Sequence, residues 1–90
     1  MAGNSLYEGI PNELLQCVEE LAKHVHDMWA EEKKRQGWSY GLHRDDTKKT
    51  SPCLIPYEDL PDYEKDYDRV TAVETIKFLI NNGYDISVKT

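Results

Sequence analysis

The chain has 90 residues, enough for one domain and too few for two. Its composition is globular, with 39% hydrophobic and 31% charged residues, and a fold of this size hides only about 60–65% of its unfolded surface, so its core is small. A formal net charge of −6 opposes phosphate backbones and anionic lipid, which argues against nucleic acid as a partner. The longest apolar run is too short for membrane insertion.

Residues 1–10 read as an irregular N-terminal arm. Pro11 then stands where a helix accepts its first residue, because the N–H it lacks would have had no partner. Leu14, Leu15, Val18, Leu21, Ala22, Val25, Met28 and Trp29 recur at three- and four-residue steps, which predicts a helix from about Pro11 to Gln36. Lys33, Lys34 and Arg35 complement its C-terminal dipole, and Gly37 supplies a left-handed stop. The segment from Gly37 to Tyr57 is a long polar connection whose expected anchors are Trp38, Tyr40, Leu42, Leu54, Ile55 and Tyr57.

A second helix is predicted from about Pro61 to Asn82, ended by Gly83. Tyr63, Tyr67, Val70, Val73, Ile76, Leu79 and Ile80 trace its expected buried stripe. Thr71 and Glu74 have capping-box spacing, so a break there is an alternative. Residues 85–90 form a tail, with Ile86 and Val88 alternating but no partner strand. The fold class expected is all-α: two long antiparallel helices, a long ordered connecting loop and one or two short helices.

Catalytic patterns are absent from the sequence. His24 and His26 stand two apart on a helix and face different ways, so they cannot chelate one ion, and His43 is remote; surface or capping roles are expected for them. No glycine-rich phosphate loop, nucleophile elbow or calcium-loop spacing occurs. Neither a metal nor a cofactor is implied. Cys17 and Cys53, with no secretory leader visible, are expected to stay reduced in a cytoplasmic protein.

One cluster stands out in this acidic chain. Trp38, Tyr40, His43, Arg44, Lys48 and Lys49 form a basic and aromatic island able to hold a phosphate beside an aromatic base. Of these, Trp38, Tyr40, Arg44, Lys48 and Lys49, together with Tyr57 and Arg69, are the candidate ligand-binding residues. In the competing reading, Trp38 and Tyr40 fasten the loop to the core while the charges are solvated.

Several motifs in order point to a family. Glu19-Glu20-Leu21-Ala22, His26-Asp27-Met28-Trp29 and Gly37-Trp38-Ser39-Tyr40-Gly41 are followed by Pro52-Cys53-Leu54-Ile55-Pro56-Tyr57, Glu64-Lys65, Asp68-Arg69 and Gly83-Tyr84. This series resembles the ryanodine-receptor repeat over about residues 11–84, as a stand-alone copy; Ser51 departs from the histidine usual before the proline.

The resemblance implies a helical module found in tandem pairs on the cytoplasmic periphery of calcium-release channels, and singly in short prokaryotic proteins, with no catalytic residue. Within the motifs, Gly37 and Gly41 are expected to allow tight bends, and Pro52 and Pro56 to fix an extended path. Arg69 or Lys65 is expected to pair with a loop or helix carboxylate such as Asp45 or Asp46, pinning the long connection.

The function expected is a non-enzymatic protein-interaction or assembly module. Its partner would be another protein or a second copy, as a two-fold homodimer imitating the tandem repeat. The alternative is a sensor of a nucleotide-like small molecule, which requires Trp38, Tyr40, Arg44 and Arg69 to converge on a concave pocket.

Overall fold

The computed structural model describes residues 6–89. Two long helices dominate: α1 (Leu15–Arg35), entered through a 3-10 turn at Asn12–Leu14, and α2 (Asp62–Asn81), preceded by a 3-10 turn at Tyr57–Asp59. Between them lie two short strands, β1 (Ser39–Tyr40) and β2 (Thr50–Ser51), paired in parallel with Ser39 opposite Thr50 and Tyr40 opposite Ser51. The fold is therefore mainly helical, and the all-α expectation is corrected by this small sheet.

Three prolines start the helical segments in one way. Pro11, Pro56 and Pro61 hold φ at −57°, −56° and −65° with extended ψ, each just before a helical turn. Their carbonyls accept the first turn's N–H groups, from Leu14 (2.9 Å), Asp59 (2.9 Å) and Glu64 (3.0 Å). Proline thus sits one position earlier than expected, outside the helix, as a rigid residue whose carbonyl opens the ladder. α2 is continuous through Thr71, whose hydroxyl donates to Tyr67 O at 3.3 Å, so the capping-box break does not occur.

Both helices end in the same motif. Gly37 at φ +93° donates to Lys34 O (3.0 Å) while Trp38 N–H donates to Lys33 O (2.9 Å). Gly83 at φ +89° repeats this arrangement, with Tyr84 N–H donating to Leu79 O at 2.9 Å. These paired bonds satisfy carbonyls that the helix leaves open, and only glycine adopts the required backbone cheaply.

The core joins Ile10, Leu14, Val18 and Ala22 to Tyr57, Leu60, Ala72, Val73 and Ile76. Ile10 is buried, and Leu6, Tyr7 and Ile86 pack against the cluster, so the core extends beyond residues 11–84 at both ends. Leu14, Val18 and Val73 are the largest fully buried side chains; truncating Leu14 to alanine costs about 2–5 kcal/mol by lost transfer energy and cavity formation.

Several expected core residues lie outside. Leu15 and Met28 on α1, and Tyr63, Tyr67 and Val70 on α2, are exposed. Apolar residues ring much of α2, and the face that meets α1 is the one carrying Ala72, Val73 and Ile76. In the loop Leu54 and Tyr57 are buried anchors, whereas Tyr40 and Leu42 are exposed and anchor nothing.

Gly41 proves necessary for a reason other than a bend. A Cβ there would stand 2.7 Å from the Thr50 Cβ, inside the contact distance that carbon atoms tolerate. The missing side chain lets β1 approach β2, and Gly41 N–H donates to Ser51 O at 3.2 Å. Asp45 closes the intervening loop, its Oδ1 accepting from the Thr47 and Lys48 amides at 2.9 and 3.0 Å.

Candidate functional site

The seven candidate ligand-binding residues do not converge. Lys33 Nζ lies 4.6 Å and Arg44 Cζ 5.4 Å from the Trp38 ring centroid, so Trp38 already has cations over it. Arg44 Nε donates to Asp46 Oδ1 at 2.9 Å, and Lys49 Nζ to Gln36 O at 3.0 Å. Tyr40 and Lys48 are exposed on the loop. Trp38, Arg44 and Lys49 are thus engaged by near neighbours of the loop and the end of α1.

Tyr57 and Arg69 do structural work elsewhere. The Tyr57 hydroxyl donates to Glu19 Oε2 at 3.0 Å, and burial, followed by the Glu19 contact, pushes its pKa up to about 12. Arg69 Nε and Nη2 donate to the two oxygens of Glu19 at 2.8 and 3.0 Å, and Nη1 donates to Asp66 at 2.8 Å. Arg69 therefore pins α2 to α1, not to the loop. The carboxylates it meets are on the helices and not the loop's Asp45 or Asp46: Asp45 is engaged by the loop's own amides and Asp46 by Arg44. Lys65 stands over the Tyr57 ring, 5.5 Å from its centroid.

The concavity lies where the helix pairing opens. On α1 the four-residue steps that bury Val18 and Ala22 arrive next at His26, with Trp29 beyond it. On α2 the same steps run back from Ile76 and Ala72 to Asp68 and Glu64. The inward stripes thus change from apolar to polar, and they bound a cleft of about 390 Å³. Ser51, Pro52 and Cys53 from the loop form its third side, with Leu60, Tyr67 and Arg44 completing the lining.

His26 organises this end. It is only 4% exposed, although a surface or capping role was expected for it. Its Nε2 lies 2.7 Å from the Ile55 carbonyl. A carbonyl can only accept, so Nε2 carries a proton and donates. Nδ1 is then directed at Asp68 Oδ2, 3.7 Å away. The ring also stacks obliquely with Trp29 (5.6 Å between centroids) and Tyr57 (6.1 Å). One imidazole therefore ties the loop, α1 and α2 together.

The remaining polar groups follow their surroundings. Burial raises the Asp68 pKa, opposed by His26 and assisted by Glu64. Burial also pushes the Cys53 thiol up, and the nearby Glu64 carboxylate adds to that shift. Ser51 is buried, and its Oγ accepts from the Cys53 amide at 3.2 Å. Cys17 and Cys53 are free thiols. Among the described residues no three His, Cys, Asp or Glu side chains are grouped to hold a metal ion, and no helix is long and apolar enough to cross a membrane.

Sequence reasoning named Glu64 and Asp68 only as motif residues and missed their role as cleft walls. The available signal was two acids four apart, in register with Ala72 and Ile76. The motif residues otherwise occupy consistent places: Gly37 at the end of α1, Gly41 at the strand contact, Pro56 before the Tyr57 turn, and His26, Trp29 and Pro52 around the cleft. A family model for the RyR domain matches residues 8–88, nearly the full length of this structure, and the chain belongs to the RyR domain family.

Proposed function

We propose that the chain is a non-enzymatic assembly module, probed first as a homodimer in which a second copy covers the outer face of α2. One observation carries this reading. Tyr63, Tyr67, Val70 and Phe78 recur on one face of α2 and are 68%, 71%, 46% and 62% exposed. Their periodicity is that of a buried stripe, yet the domain's own core uses the opposite face of α2. Tyrosine and phenylalanine in such a stripe, rimmed by charge, have the composition of a protein contact.

The choice of a second copy rests on the tandem pairing implied by the family resemblance, which a stand-alone chain can reproduce through two-fold symmetry. Free Cys17 and Cys53 suit a reducing compartment, consistent with cytoplasmic assembly. A light-scattering dilution series tests the reading. We expect a concentration-dependent dimer that Tyr63→Lys and Phe78→Lys dissolve without loss of helicity. A species of only 10.5 kDa at every concentration would overturn it.

A further inference from the structure

The cleft between α1, the Ser51–Cys53 loop and α2 contains an electrostatic imbalance that the fold itself does not correct. Glu64 and Asp68 stand one turn apart on α2, a like-charge spacing that disfavours the helix. More exposed acids nearby have basic partners: Asp66 and Glu19 pair with Arg69, and Glu58 with Lys23. The two half-buried ones have no permanently charged partner. Among the described residues neither Glu64 nor Asp68 meets a lysine or arginine; Asp68 faces only His26, and Glu64 lies near the Cys53 thiol, which carries no positive charge. Partly desolvated carboxylates left in this state are costly unless something else completes them.

A second, independent feature points into the same space. The His26 side chain is more than nine-tenths buried, and its Nε2 is committed to Ile55 O. Its Nδ1 faces Asp68 Oδ2 at 3.7 Å, beyond hydrogen-bond distance, and since no fully buried side-chain nitrogen among the described residues lacks a partner, Nδ1 is open to solvent in the cleft. Around these groups, Trp29 and Tyr67 supply aromatic surface, and Leu60 and Pro52 supply apolar surface.

We propose that this cleft binds an organic monocation, an amine or guanidinium carried on a flat apolar body. The cation's N–H groups would donate to Glu64 and Asp68, and its charge would lie against the aromatic faces. A metal ion is a poor alternative because no three ligating side chains are grouped there among the described residues. An anion is a poor one as well: Arg44, the cation at the rim, is engaged by Asp46, so an anion would face two carboxyl groups. The volume, about 390 Å³, lies in the range of small-molecule sites. The ligand's source could be a free small molecule or the basic side chain of a partner protein. The chemistry is shared.

The test uses the full chain, 15N-labelled, with the Trp29 indole N–H signal as readout and dilution sufficient to keep self-association out of the measurement. Benzamidinium is titrated against its uncharged relative benzamide, and against benzoate and adenosine monophosphate. We expect saturable movement of the Trp29 signal by benzamidinium, at least about tenfold tighter than by benzamide. Glu64→Gln and Asp68→Asn should each weaken binding by about tenfold or more. Glu64→Gln alone decides the matter if the Asp68 variant misfolds, because among the described residues the Glu64 side chain has no ion pair to lose.

In a second arm, acetyl-Ala-Arg-Ala-amide is compared with its glutamine counterpart. Binding by the arginine peptide assigns the site to a partner's side chain, and binding by benzamidinium alone assigns it to a free molecule. The proposal is overturned by no saturable movement at millimolar benzamidinium, by tighter binding of benzoate or adenosine monophosphate, or by unchanged binding in Glu64→Gln.

Discussion

Arg69 reaches 50 positions back along the chain to hold both carboxylate oxygens of Glu19, at 2.8 and 3.0 Å, in a two-pronged ion pair. The guanidinium is mostly covered while the carboxylate is half exposed, and the Tyr57 hydroxyl closes the group at 3.0 Å. The contact therefore joins both helices and the loop's end.

Replacing Arg69 with lysine keeps the charge and loses the fork, so we expect about 1 kcal/mol of destabilisation in urea unfolding. The Glu19 carboxyl is held below its ordinary value of 4.5, chiefly by the Arg69 hydrogen bonds. A carboxyl depressed in the folded state contributes stability that is present above that ordinary value and lost as pH falls through the folded one. Acid titration of Glu19→Gln should lack that component. Equal acid sensitivity in both proteins would contradict the assignment.

At alkaline pH the sign reverses and the residue changes. Tyr57 ionises near 10.0 when unfolded and at about 12 in the fold, so the unfolded chain loses its proton first. Stability should decline as pH rises from 10.0 towards 12, by on the order of 2 kcal/mol. Tyr57→Phe should flatten that decline while costing about 1 kcal/mol at neutral pH from the lost hydrogen bond. Chemical denaturation across the alkaline range measures both.

Removing the His26 imidazole leaves the Ile55 carbonyl without its donor at a part-buried position. His26→Leu, similar in bulk but unable to donate, should cost about 1–3 kcal/mol. Hydrogen exchange should show the loop from Ser51 to Tyr57 opening before the helices do. Uniform loss of protection across the chain would instead mark His26 as ordinary core packing.

Gly41→Ala forces a Cβ against Thr50, and we expect about 1–3 kcal/mol of overpacking strain. Amide protection at Ser39 and Gly41, which donate to Lys49 O and Ser51 O, should disappear together. Thr50→Gly in the same chain should restore part of it. A bend requirement alone would give no such rescue.

Helix positions were legible because apolar spacing and the terminal glycines act locally; α1 and α2 lie within a few residues of their expected bounds. The buried face of α2 was not legible. Tyr63, Tyr67 and Val70 are more hydrophobic in the sequence than Ala72, but close helix approach favours the small side chain, and that is a tertiary preference. His26 was obscured for a related reason: its partner, the Ile55 carbonyl, is 29 positions away and is a backbone group present at every residue. Arg69's role as a pin could be inferred from its chemistry, but Glu19 could not be chosen among 17 acidic residues without the crossing of the helices.

Ala22 and Ala72 are both fully buried in the core, and each stands one helical turn from a cleft wall, His26 on α1 and Asp68 on α2. Methyl groups at these two positions act as the gauge for the space beyond them. Added carbon at either would prise the helices apart and change the aperture without touching any group that lines it. The bore of the cleft is therefore set by residues that never face it, and relatives with larger or smaller side chains at these two positions should differ in the size of guest they admit.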